Sequence, residues 1–269
     1  GRKEIVTFRQ LGQRPETDAI INMINQDTIS TAKAVEKITA LTTAVGDAEY
    51  STLQMHASVV TVCMIRAARL LPPDQQSKLI DFAQRLQQVT IPRPHDGGVL
   101  ALDGGDEDEE FWSGMPMLSL HLADYHAAVA RFGTQEENDR YFENCTAFVA
   151  QLSEAGFLNW KENLGWSYGA LICILNVNRN VRKKDIRLAC IWLIYAPAKL
   201  WLNIQLSQTN KYLDVVEKFT PEHWPKWRQV LQDCQNASSE EFSDKDTQEL
   251  IKRALDSMDK TKAEQNSSI

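Results

Sequence analysis

The stretch Leu53 to Pro73, LQMHASVVTVCMIRAARLLPP, decides the fold class. Its apolar residues Leu53, Val59, Val60, Cys63, Met64, Ala67, Leu70 and Leu71 return at the intervals that gather one face of an α-helix. Pro72 ends the pattern, since proline lacks the amide that a continuing helix requires, and Pro73 suits the first turn of the next segment. There Leu79, Phe82, Ala83 and Leu86 share a face. Upstream, Ala34, Val35, Ile38, Leu41 and Val45 follow the same period behind a Ser30 cap, with Gly46 as the stop. The amino-terminal third therefore reads as a helical array.

Downstream the pattern breaks once. Pro92, Pro94, Gly97-Gly98, Gly104-Gly105 and the acidic run Asp106 to Glu110 make the segment 90–110 the one long loop, and a subdomain break would fall there. Its carboxylates lack the alternating oxygen ligands of a calcium loop, so a solvated linker is expected. Helical periodicity then resumes over Phe111 to Arg131, over Gln135 to Ala155 behind a Thr134 cap with Gly156 as stop, and over Trp160 to Val177. Lys183 to Leu206, Pro221 to Cys234 and a final piece through Met258 follow, and from Lys260 onward the polar chain is expected to fray. The expected fold is all-α: a single helical domain over 1–269, an irregular bundle or array of about eight to ten helices with one long acidic loop.

Composition agrees. Hydrophobic residues make up 43% and charged residues 24% of the 269, values of an ordinary globular chain. The net charge of −7 offers no electrostatic ground for nucleic acid or anionic lipid as a partner. No apolar run is long enough to cross a bilayer, and Gly1 to Arg14 lacks the apolar core of a signal peptide. Gly1 in place of an initiator Met reads as a processing or cloning product, so the native amino terminus is not expected to be fixed by this sequence. The five cysteines, Cys63, Cys145, Cys173, Cys190 and Cys234, are odd in number and mostly in apolar surroundings, as expected of free thiols in a cytoplasmic or nuclear protein. Sequons at Asn144, Asn236 and Asn266 are short enough to arise by chance.

A family resemblance emerges from six segments taken in order: Phe111-Trp112 with Met115-Pro116, Asp124-Tyr125-His126, Asn144 to Ala150, Tyr168 to Leu171, Leu188 to Ala196, and Trp224-Pro225-Lys226-Trp227. Their order and spacing resemble a large family of uncharacterised filamentous-fungal proteins known only as a domain of unknown function. Pro197 stands where that pattern has Gly, and His126 where it often has Asn. The resemblance implies a mostly helical, soluble, fungal protein and no particular activity.

The chemistry must be weighed residue by residue. His121, Asp124 and His126 are a His, carboxylate, His set of the kind that binds zinc or iron, but His126 is turned away from the other two on a helix, so no metal and no cofactor is assigned. His121 and Asp124, three apart, could act as base and orienter, against the commoner reading of polar packing. Trp192, Tyr195 and Lys199 share a helical face beside Pro197. With Trp112 and His126 they could line an apolar small-molecule site, against the commoner reading of core packing. Trp224 and Trp227 read as a structural staple. The leading expectation is a non-enzymatic intracellular binding or scaffolding protein, acting on a protein partner or a second copy of itself. The alternative is a small-molecule enzyme or carrier of fungal secondary metabolism.

Overall fold

A computed structural model of the chain describes residues 14–25, 29–101, 110–118, 120–122, 124, 135–156, 182–206, 209–212, 215–218, 220–237 and 240–266. Among these, nine α-helices carry the architecture, and the fold is all-α. The chain divides into two compact units, Gly1–Cys145 and Thr146–Ile269, so the loop 90–110 lies inside the first.

In the first unit, α1 (Pro15–Asn25) opens with Pro at its first position, where the missing amide costs nothing. The start of α2 (Thr31–Ala44) is fixed by Ser30, whose hydroxyl accepts from Lys33 N at 3.2 Å. The long helix α3 (Tyr50–Leu70) stops before Pro72, a 3-10 turn over Pro73–Gln75 redirects the chain, and α4 (Ser77–Gln87) follows. α1 packs on α2 and α3, and α2 on α4, around the fully buried Ile20, Met23, Ile38, Met64 and Phe82. Burying each such side chain contributes about 1.5–3 kcal/mol.

A polar staple then joins these helices to α5 (Gln135–Glu154). The buried Gln76 amide lies 3.0 Å from both Ala68 O and Leu71 O and 2.9 Å from Asn144 O, while Asn144 Nδ2 donates to Arg69 O at 2.9 Å. These side chains meet the carbonyls that the end of α3 leaves without helical partners. Asn144 is buried and committed, which removes its sequon from the surface. Gly156, at φ +72°, ends α5 in the left-handed conformation that glycine adopts without strain.

The segment after the acidic loop departs from expectation. Phe111 to Met117 are turns rather than helix, and helical residues begin at Leu118. Pro116 excludes its predecessor from the helical region, and Met115 (φ 45°) and Met117 (φ 69°) both sit left-handed around it. Phe111 N donates to Leu100 O (2.9 Å) and Leu100 N to Ile91 O (2.7 Å), so Leu100 links the start of this segment to the start of the loop.

The second unit contains α6 (Lys183–Tyr195), α7 (Pro197–Gln205), α8 (His223–Asn236) and α9 (Lys245–Asn266). Lys183 to Leu206 is two helices, not one: Ala196 leaves the helical region at φ −139°, ψ 42°, and Pro197 starts afresh. α9 packs along α6, burying Thr247, Ile251, Ala254, Met258 and Thr261 at alternating four- and three-residue steps. That seam carries the helix beyond Lys260 to Asn266, where fraying was expected. Thr209–Tyr212 and Val215–Lys218 form an antiparallel hairpin that the helical reading missed, its short strands carrying only local pairing. No helix among the described residues is long and apolar enough to cross a membrane.

Candidate functional site

The densest buried polar cluster lies in the first unit and joins four elements. Glu16 on α1, Thr42 on α2 and His56 on α3 converge beneath Trp112, which is fully buried. His56 Nδ1 lies 2.9 Å from Glu16 Oε1, and its Nε2 lies 3.0 Å from Thr42 Oγ1. Thr42 Oγ1 donates to Ile38 O at 2.8 Å and accepts from Trp112 Nε1 at 3.1 Å. The Trp112 ring meets His56 edge-on at 5.8 Å and Phe111 edge-on at 4.8 Å. Next to the carboxylate, Thr17 Oγ1 lies 3.4 Å from Cys63 Sγ. Burial pushes the Cys63 thiol up to about 11, against the opposing pull of Thr17 and Arg66. It is therefore an inert thiol.

Carboxylate, imidazole and hydroxyl stand here in the order of an acid, base and nucleophile set. Two facts deprive Thr42 of that role. Its side chain is sealed from solvent, and its oxygen is engaged by Ile38, His56 and Trp112. The cluster instead joins three helices and an irregular segment through a hydrogen-bond network that leaves no member unpaired. Sequence reasoning did not single out Glu16, Thr42 or His56. The signal was present: Thr42 follows Val35 and Ile38, and His56 stands between Leu53 and Val60, polar residues at apolar intervals.

Of the residues the sequence pointed to, Trp112 is the one drawn into this network. His121 has its Nε2 buried and, among the described residues, without a hydrogen-bond partner, and burial pushes its pKa below the ordinary histidine value against the pull of Asp124. Asp124 itself is exposed. His126 lies outside the described residues, as does Cys173. In the second unit, Trp192 is fully buried on α6, and half-buried Tyr195 has its hydroxyl 3.4 Å from Arg253 Nη2. Lys199 belongs to α7, beyond the break at Ala196, and its backbone N donates to Glu154 Oε2 at 2.9 Å. Ala198 N donates to the other oxygen of that carboxylate at 3.3 Å, so Glu154 caps α7. The paired tryptophans pack as a staple: Trp224 meets Trp201 edge-on at 5.1 Å and Trp227 at 6.4 Å. Among the described residues, no three His, Cys, Asp or Glu side chains are grouped to hold a metal ion.

The chain belongs to a family described as protein of unknown function (DUF3632), which matches residues 62–231. Trp112 and Asn144 fall within the matched span, whereas Glu16, Thr42 and His56 precede it. No curated protein and no solved structure matches the chain.

Proposed function

We propose, taking membership of a family without a defined activity as the premise, that this chain is a non-enzymatic intracellular helical binding or scaffolding protein, cytoplasmic or nuclear, that acts on a protein partner or a second copy of itself. The observation that carries this reading is the burial of Thr42: the assembled carboxylate, imidazole and hydroxyl set presents no reactive group to a substrate. Two further features support it. Leu202 on α7 and Leu206 at its C-cap, four residues apart, are 48% and 59% exposed. The four described cysteines, Cys63, Cys145, Cys190 and Cys234, are free and buried, in keeping with a reducing compartment. The test is cross-linking in native extract, followed by native mass spectrometry. A protein or a second copy joined through α7, and lost in the Leu202→Glu, Leu206→Glu double variant, is the expected result. A bound small molecule released on denaturation, with no protein joined at α7, would overturn the reading.

One observation favours the alternative, a small-molecule enzyme or carrier of fungal secondary metabolism. Burial pushes the His121 pKa down, and among the described residues its Nε2 has no hydrogen-bond partner, as a general base beside Asp124 would need. In that reading an apolar ligand is contacted by Trp112 and His126 of the first unit or by Trp192, Tyr195 and Lys199 of the second. His121→Ala would then abolish binding of the molecule found by mass spectrometry. Unchanged occupancy in that variant removes His121 from the site.

A further inference from the structure

We infer, resting on the reading of α7 as a docking face, that the outer edge of the hairpin following it completes that face: two copies of the chain pair antiparallel through Val215–Lys218 about a two-fold axis at Val216. Within one copy, Tyr212 pairs with Val215, Lys211 with Val216, Asn210 with Glu217 and Thr209 with Lys218. Only two residues separate Tyr212 from Val215, so this closing pair must be one that exchanges both of its backbone bonds. The alternation of an antiparallel ladder then fixes the rest. Glu217 bonds inward to Asn210, whereas the amides and carbonyls of Val216 and Lys218 point away from the first strand. Among the described residues the sheet has these two strands and no third. A two-stranded ribbon is marginal by itself, and a row of outward amides and carbonyls is a template for another strand.

Register selects the occupant. Outward groups must face outward groups, so Val216 meets either itself or Lys218 of the second copy. Val216 opposite Lys218 would set Glu217 against Glu217, two like charges directly across the ladder. Val216 opposite Val216 sets Glu217 against Val215, and the sequence places Asp214, the residue before the strand, against Lys218 at both ends. This edge is therefore complementary to itself in charge and in hydrogen-bonding pattern, and self-pairing about a two-fold axis closes with two copies. The first strand offers no such match, because its one charged residue, Lys211, has no carboxylate residue to meet. Backbone pairing over four residues is a small interface. Leu202 and Leu206, exposed just before the hairpin in the chain, supply the apolar area it lacks.

Sedimentation velocity and hydrogen exchange of the full chain over a concentration series test this. A dimer is expected, with the amides of Val216 and Lys218 gaining protection only as it forms, while those of Val215 and Glu217 are protected throughout. Val216→Pro removes the outward amide and no bond to the first strand. It should weaken the dimer about tenfold through the loss of two symmetric bonds, with helical circular dichroism unchanged. Val216→Cys should link two copies under mild oxidation, because residues paired on the axis stand about 5.5 Å apart at Cα, within disulfide reach. Glu217→Cys, which faces Val215, should not. A chain that stays monomeric across the series overturns the inference, and the α7 reading then stands if cross-linking in extract joins a different protein there. A dimer that survives Val216→Pro unweakened, yet is lost in the Leu202→Glu, Leu206→Glu double variant, overturns it as well and leaves α7 as the interface by itself. Protection of Val216 that appears only when a different protein is added would equally overturn self-pairing.

Discussion

The two units solve the same problem, fastening helices to one another, with different chemistry. The first buries polar side chains and satisfies them: Glu16, Thr42 and His56 under Trp112, and Gln76 with Asn144 at the far end of α3. The second packs α6 against a largely apolar seam of α9, crossed at its start by one bond from Arg187 Nη1 to Thr247 Oγ1 at 3.0 Å, and leaves its charged pairs toward solvent, with Arg228–Asp259 at 2.8 Å and Lys183–Asp244 at 2.7 Å. A buried polar bond is geometrically selective, because a wrong partner leaves a desolvated group unpaired. An apolar seam is set by spacing alone and tolerates neighbours of similar volume. The irregular segment around Trp112 has no helical periodicity to direct it, and a polar bond fixes it to α2.

The largest expected effect falls on the first unit. Trp112→Ala removes a fully buried indole and the donor to Thr42, at a cost of about 3–5 kcal/mol. Hydrogen exchange should show lost protection in α1, α2 and α3 ahead of α6 and α9, and equal loss in both units would erase the contrast. Met258→Ala, in the middle of the α9 seam, should cost about 2–4 kcal/mol by chemical denaturation, with a Leu replacement costing under about 1.5 kcal/mol. The corresponding polar exchange in the first unit, Gln76→Met, should not be tolerated as well, because Ala68 O, Leu71 O and Asn144 O lose their donor.

The smallest effect is electrostatic. Burial alone would raise the Asp244 carboxyl, but bonds from Lys183 and from Thr247 N at the start of α9 outweigh it and hold it at about 2. A carboxyl lower in the folded than in the unfolded chain stabilises above its ordinary value of 3.8, and that stability is lost as pH falls toward about 2. Asp244→Asn should therefore flatten the acid limb of the melting temperature. An unaltered acid limb would show that the cap contributes nothing.

What the sequence made legible was the periodic part. Leu53 to Leu71 revealed α3 to within a few residues, and Ser30 marked the start of α2. The break at Ala196 was half visible, since Pro197 signalled a disturbance without saying whether the helix bends or stops. The left-handed Met115 and Met117 were not legible, because methionine carries no preference for that conformation and the local constraint comes from Pro116 and the burial of Trp112. The site was illegible for a related reason. Glu16, Thr42 and His56 are brought together by tertiary packing across 40 residues of chain, and neither spacing nor motif encodes that meeting. Trp112 was noticed as part of a family-like motif and emerges as the residue that closes the network.

The central claim is that the cluster beneath Trp112 is a structural lock rather than a reactive site, and a double-mutant cycle between Trp112→Phe and Thr42→Val tests it most directly. Each variant removes one side of the indole to hydroxyl bond, and the ring volume lost in Trp112→Phe and the bonds to Ile38 and His56 lost in Thr42→Val cancel in the cycle. Each single variant is expected to be destabilised, and the double variant to fall short of their sum by about 1 kcal/mol. Strict additivity, with the Thr42→Val protein as stable as the parent, would contradict it.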